Sequence, residues 1–88
     1  MPADSDAEKA LAAIHDCGFE VNDRWEAAHA IAQAHEGEPL FDAIHAFLHR
    51  IEGDHANAAY WDRRAGSDHG GKGHASELAT LRALSGFD

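Results

Sequence analysis

The strongest constraint on the fold is a run of large apolar residues between positions 39 and 52. At 100° per residue these side chains fall within about 120° of one another, which makes one wide apolar helix face. Pro39 suits the first turn of a helix, and Gly53 suits the left-handed position just after one. The segment therefore predicts the main core helix of the chain. Its apolar face consists of Leu40, Phe41, Ile44, Phe47, Leu48 and Ile51.

Two capping boxes predict two helices before this one. In such a box, a short polar side chain and a glutamate three residues later satisfy the free amides at a helix start. The first box predicts a helix over about residues 6–17, and the second predicts a helix that ends at Gly37. The two pairs are Ser5 with Glu8 and Asp23 with Glu26.

The dipeptide Gly53-Asp54 predicts that one helix stops and another begins with a very short link. The fourth helix then runs to Ala65, before Gly66. We therefore predict an all-α fold, a small bundle of about four antiparallel helices plus a short C-terminal helix.

Glycine content divides the end of the chain. We predict a helical domain over residues 1–66, a Gly-rich flexible linker over 67–75 and a short terminal helix over 76–88. On this division, residues 1–66 are expected to fold without the last helix. The apolar seam of that helix needs a partner surface, within the chain or on another chain. The seam consists of Leu78, Leu81 and Leu84.

Charge and size limit the classes of function. Seven Lys and Arg stand against 16 Asp and Glu, a formal net charge of -9, so nucleic acid and anionic membranes are not expected partners. No apolar run approaches the ~20 residues that span a bilayer, and the acidic N-terminus lacks signal-peptide features. A single cysteine fits a reducing compartment, so we expect a cytoplasmic protein. At 88 residues the core is thin, which keeps a homo-oligomer as an option.

Polar and aromatic residues concentrate on three predicted helices. On helix 3, two histidines four residues apart lie on one stripe with Asp42 and a glutamate, at the border of the apolar face. Helix 2 contributes a histidine one turn after Trp25, and helix 4 contributes a polar and aromatic face. These edges are predicted to meet in one ligand-binding groove. Its residues are His29, His45, His49, Glu52, Asn57, Trp61 and Arg64.

Two functions follow from this groove. The first is a non-enzymatic module that binds a small ligand, a peptide or a protein partner. The alternative is a metal-dependent hydrolytic enzyme in which His29, His45 and His49 hold Zn²⁺ and Glu52 or Asp54 acts as general base. A structural role, with the histidines bonded to nearby carboxylates, is the simpler interpretation of the same stripe.

The remaining cations and histidines have ordinary explanations. Arg50 and Arg63 are predicted to pair with carboxylates across the hairpin, and Arg64 either pairs with Glu52 or binds a ligand carboxylate beside Trp61. In the Gly-rich segment and just after it, two further histidines are expected to be solvated. These are His69 and His74.

The string from Trp25 and His29 to Gly66 resembles a family of small helical bacterial proteins with no assigned activity. The motif residues are His45, His49-Arg50, Glu52-Gly53-Asp54, Asn57-Ala58, Tyr60-Trp61 and Arg63-Arg64-Ala65-Gly66. This chain departs from the family pattern at Asp62, where an aromatic residue is usual, and after Gly66. The piece with Gly53-Asp54, Ala58 and Ala65 is also similar to the second half of a tetratricopeptide repeat, which implies a close helical hairpin.

Overall fold

The computed structural model describes the backbone of residues 2–86 and the side chains of residues 6–86. Over this part of the chain the secondary structure is helical, which confirms the predicted all-α bundle. A 3-10 turn, Gly70–Lys72, precedes the last helix. The α-helices are α1 (Pro2–Cys17), α2 (Asp23–Ala34), α3 (Pro39–Glu52), α4 (His55–Ala65) and α5 (His74–Ser85).

Helix α3 is the centre of the bundle and contacts each of the other four helices. Ile44, Phe47 and Leu48 on α3 are fully buried, in one cluster with Leu11 and Ile14 of α1. Pro39 occupies the first turn, as its fixed φ angle favours. The apolar periodicity therefore predicted the core helix and its bounds correctly.

The link between α3 and α4 has the predicted caps. Gly53 has a φ of +86°, and its amide donates to the carbonyl of Arg50, which ends α3. The Asp54 side chain accepts a hydrogen bond of 3.1 Å from the amide of Asn57 and begins α4. Gly66, with a φ of +72°, ends α4. A helix stop and a helix start in adjacent residues hold α3 and α4 in extensive contact.

The predicted starts of α1 and α2 are wrong. Helix α1 begins at Pro2, so Ser5 lies inside it; the side chain of Ser5 is outside the described residues. Helix α2 is capped by Asn22, whose Oδ1 accepts hydrogen bonds from the amides of Arg24 and Trp25. The capping residue therefore precedes Asp23 by one position.

Helix α2 ends at Ala34, three residues before the predicted stop at Gly37. The amide of Gly37 instead donates to Oδ1 of Asp42, a hydrogen bond of 3.1 Å between the α2–α3 loop and α3. Asp42 is 1% exposed, so it holds this loop from inside the fold rather than lining a polar stripe. The buried carboxylate of Asp42 therefore holds the loop in which Gly37 was predicted to end α2.

Helix α5 packs within the chain, against α1 and α3. It begins at His74, and with 12 residues it is as long as α2, so it is neither as short nor as late as predicted. Leu78 and Leu81 are buried in the main core cluster, whereas Leu84 is 60% exposed. The core therefore extends beyond residues 1–66.

None of the helices in the described part of the chain is long and apolar enough to cross a membrane.

Candidate functional site: three histidines between two tryptophans

Three imidazoles converge where α2 packs on α3. His29 comes from α2, and His45 and His49 come from successive turns of α3. One ring nitrogen of each lies within 4.8 Å of those of the other two. Nε2 of His29 and Nε2 of His45 are 3.1 Å apart and share a hydrogen bond. We call these three residues the histidine cluster.

The local sequence explains why α2 brings His29 so close to α3. Ala28 and Ala32 of α2 are fully buried in the core, and their small side chains allow the two helices to approach. His45 and His49 are four residues apart, so they project from the same side of α3 with ring centroids 4.8 Å apart. The three predicted histidines therefore lie together in the structure.

Two tryptophan rings bound the cluster and fix its orientation. Trp25 stacks on His29 with ring centroids 4.9 Å apart and an interplanar angle of 17°. Trp61 stacks on His45 at 3.9 Å and 15°. The indole Nε1 of Trp25 donates a hydrogen bond of 2.9 Å to the carbonyl of Leu48, which anchors that wall. Trp25 was not predicted as a site residue, although its spacing of four residues from His29 on α2 is the signal for this contact.

A carboxylate orients the third histidine. Nδ1 of His49 donates a hydrogen bond of 2.5 Å to Oε1 of Glu52, three residues further along α3. In the neutral imidazole, a proton on Nδ1 leaves Nε2 with a free lone pair. Glu52 therefore belongs to the site, but as a partner of His49.

Burial keeps two of the three histidines uncharged. The pKa of His45 is lowered to about 4, first by burial and then by repulsion from protonated His29 and His49. The pKa of His29 is also lowered, first by burial and then by His49. Neutral imidazoles at pH 7 have lone pairs available without the loss of a proton to solvent.

His45 has an unsatisfied ring nitrogen. His45 is 3% exposed, and its Nδ1 has no hydrogen-bond partner. In residues 6–86 it is the one buried side-chain nitrogen or oxygen in this condition. An unpaired polar atom in the interior is costly, so this position is not optimised for stability.

Two predicted groove residues form hydrogen bonds with residues other than the three histidines. Asn57 is half-buried in the first turn of α4, and its amide donates to the Asp54 cap. Arg64 is exposed, donates a hydrogen bond of 3.0 Å to the Tyr60 hydroxyl and lies 5.3 Å from the centre of the Trp61 ring. Its predicted pairing with Glu52 is not observed, because Glu52 already binds His49.

The interpretation of the other polar residues also changes. Arg50 pairs across the hairpin as predicted, with Asp62 of α4, but its second partner is Glu77 of α5 rather than a neighbour on the link. His74, expected to be solvated, is half-buried at the start of α5, with its ring centroid 5.5 Å from that of Phe19. The packing of α5 brought both residues into contacts that the local sequence does not reveal.

One edge of the cluster matches the ligand separation of a metal site. For Zn–N bonds of about 2.0–2.1 Å, two tetrahedral ligands lie about 3.3 Å apart. The 3.1 Å between the Nε2 atoms of His29 and His45 is close to that edge. An ion between them would replace the shared proton, and its third ligand would be Nε2 of His49.

A scan against protein-family models found no match, and neither a search of curated proteins nor a search of solved structures found a significant relative. The likeness to the uncharacterised bacterial family and to a tetratricopeptide hairpin therefore stays a prediction.

Proposed function

We propose that the protein is a non-enzymatic binding module whose ligand is one divalent transition-metal ion, held by His29, His45 and His49. The observation that carries this proposal is the convergence of three ring nitrogens, from two helices, within 4.8 Å. A purely structural histidine cluster has no need for three neighbouring lone-pair donors that all repel one another when charged.

The ligand atoms indicate the class of ion. Imidazole nitrogen suits Zn²⁺, Cu²⁺, Ni²⁺ and Co²⁺, whereas Mg²⁺ and Ca²⁺ require oxygen ligands. The lowered pKa values of His29 and His45 favour the unprotonated form that such an ion requires. We therefore expect Zn²⁺ to bind and Mg²⁺ not to bind.

The space at the cluster favours an ion over a larger ligand. The ring centroids of the three histidines are 4.8 to 5.3 Å apart, and Trp25 and Trp61 stack directly on two of them. A peptide or a drug-sized molecule would have to displace these rings. Binding of a small organic ligand or a peptide in the predicted groove, binding of a protein partner, and self-association stay separate predictions.

The hydrolytic enzyme is the second candidate, and the three histidines are the observation in its favour. Three protein ligands leave one coordination position for a water molecule, as in catalytic zinc sites. Both predicted general bases are already engaged, Glu52 with His49 and Asp54 with the start of α4. Hydrolysis would require one of these contacts to break, so we rank simple ion binding first.

Calorimetric titration of untagged, chelator-stripped protein with ZnCl₂ tests the proposal. We expect one Zn²⁺ per chain, no heat with MgCl₂, and loss of binding in His45→Leu. The matched control is His15→Leu, because the His15 side chain is 67% exposed on α1. Equal Zn²⁺ affinity in His45→Leu and the wild type would overturn the proposal, and hydrolysis of p-nitrophenyl acetate by the Zn²⁺ form alone would favour the enzyme.

A further inference from the structure

We propose that Glu52 is the positioning residue of the metal site, an inference that rests on the proposed function. Glu52 holds His49 with its proton on Nδ1, so that the lone pair of Nε2 is available to the ion. The enzyme alternative made Glu52 or Asp54 a general base, and the structural interpretation bonded the histidines to nearby carboxylates. The contact of 2.5 Å between Glu52 Oε1 and His49 Nδ1 assigns it a different role.

The three histidines are oriented by different means, which isolates the contribution of Glu52. His29 and His45 each stack face to face on a tryptophan. His49 meets Trp25 only edge-on, with ring centroids 6.4 Å apart and an angle of 70°. Among the hydrogen bonds of residues 6–86, the carboxylate of Glu52 is the one acidic partner of the histidine cluster.

A carboxylate behind a metal-binding histidine has two effects. It selects one tautomer and fixes the ring plane, and it makes the other nitrogen a stronger donor. It also adds a negative charge close to an ion whose three ligands are all neutral. Removal of such a partner typically weakens metal affinity by about 10- to 100-fold.

The backbone keeps Glu52 in register with His49. Glu52 is the last residue of α3, directly before the left-handed Gly53, and His49 lies one turn earlier on the same face. The amide of Asp54 donates to the carbonyl of His49, a hydrogen bond of 2.9 Å that closes the end of the helix. The helix stop thus fixes both the imidazole and its carboxylate partner.

The variant Glu52→Gln tests this role, because glutamine retains an acceptor oxygen but lacks the charge. We expect its affinity for Zn²⁺ to fall by about 10-fold or more, with one ion still bound per chain. The chain offers a matched control, Glu38→Gln. Oε2 of Glu38 accepts from Nδ1 of His35 at 2.7 Å with the same spacing of three residues, away from the cluster. Glu38→Gln should change Zn²⁺ affinity by less than about twofold.

A second measurement reports on His49 without any metal. The ¹⁵N chemical shifts of the metal-free protein should identify His49 as the Nδ1-protonated tautomer. Glu52→Leu, which removes the acceptor oxygen, should shift His49 towards the mixture of an ordinary imidazole, whereas Glu38→Leu should not. If the wild type binds no Zn²⁺, the proposed function fails. The tautomer measurement then still shows whether Glu52, and not Glu38, orients the ring of His49. If the wild type binds Zn²⁺ and Glu52→Gln binds it equally well, the positioning role alone is wrong.

Discussion

His49 and Arg50 are neighbours on α3, yet they belong to two polar clusters of opposite character. His49 joins the histidine cluster with His29 and His45. Arg50 joins an ion cluster with Asp62 of α4 and Glu77 of α5. Both clusters connect α3 to other helices.

The ion cluster is fully paired. Arg50 donates two hydrogen bonds to Asp62, of 2.8 and 3.1 Å, and two to Glu77, one of them 2.9 Å from Nε. The pKa of Arg50 is raised, chiefly by its hydrogen bonds to Glu77. A guanidinium with two carboxylate partners is a good geometric match in a partly dry site.

The histidine cluster places like groups together and leaves Nδ1 of His45 unpaired. This difference indicates that the ion cluster stabilises the fold and that the histidine cluster is available for a ligand. Loss of a member should be costly in the ion cluster and cheap in the histidine cluster, because only the first has every group satisfied.

Removal of residues 67–88 should unfold the chain. Burial of Leu78 and Leu81 contributes about 1.5–3 kcal/mol each, and their removal also exposes the core faces of α1 and α3 and takes Glu77 from Arg50. The loss from the two leucines alone comes close to the lower end of the stability of a small domain, about 5–15 kcal/mol. Circular dichroism of residues 1–66 should show a largely disordered chain; a cooperative helical unfolding transition would restore the predicted independent domain.

The variant Arg50→Met should destabilise the protein by about 3–5 kcal/mol, because Asp62 and the 1%-exposed Glu77 lose their cation. Urea unfolding measures the change. Arg63→Met is the control, since Arg63 is exposed and such surface changes stay within about 0.5 kcal/mol. Similar midpoints for the two variants would mean that the ion cluster does not stabilise the fold.

Gly70→Ala should cost about 1–3 kcal/mol through steric pressure on the same ion cluster. A Cβ atom at Gly70 would lie 2.7 Å from Cδ and Cζ of Arg50, whose guanidinium is held by two carboxylates. Gly71→Ala is the control, because a Cβ there meets no atom within 4 Å. We expect the melting temperature to fall only for Gly70→Ala, and equal values would show that Arg50 moves aside freely.

Stability should fall by about 1 kcal/mol between pH 6.5 and 5.5 in metal-free protein. His29 and His45 have lowered pKa values in the folded state, so the unfolded chain binds more protons below its own pKa of about 6.5. Their contribution is complete above pH 6.5 and is lost as the pH falls towards the folded pKa of His45, about 4.

His35 acts in the opposite direction, because hydrogen bonds to Asp6 and Glu38 raise its pKa. Its contribution is complete below pH 6.5 and is lost as the pH rises through its folded value. Urea midpoints across this pH range, in wild type, His45→Leu and His35→Leu, separate the two. A wild-type stability that rises on acidification would show that His35 dominates over the histidine cluster.

His45→Leu itself should change the free energy of unfolding at pH 7 by less than about 1 kcal/mol. The variant removes a buried nitrogen that has no partner and places an apolar side chain of similar size against Trp61. It also breaks the hydrogen bond to His29, whose half-buried ring can bond water instead. The same variant should abolish Zn²⁺ binding, so His45 would be required for binding but not for stability. A loss as large as that of Arg50→Met would erase the distinction between the two clusters.

Local sequence rules were sufficient to predict the all-α class, the core face of α3 and the turn between α3 and α4. These features depend on local rules, because helical periodicity and a left-handed glycine act within a few residues. The pairing of His45 with His49 and the nearness of Glu52 follow from the same periodicity. The starts of α1 and α2 were missed, since Asn22 and Asp23 are both good caps and local rules do not rank them.

Which polar residues contact one another depends on the tertiary structure. The contact of His29 with His45 spans 16 residues, that of Trp61 with His45 also spans 16, and that of Arg50 with Glu77 spans 27. Such contacts depend on how close two helices pack and at what rotation, which the buried alanines of α2 and leucines of α5 set through the shared core. For that reason the sequence listed the histidines of the site and placed Glu52 one turn from His49, while the fold brought His29 to His45 and left Asn57 and Arg64 bonded to other residues.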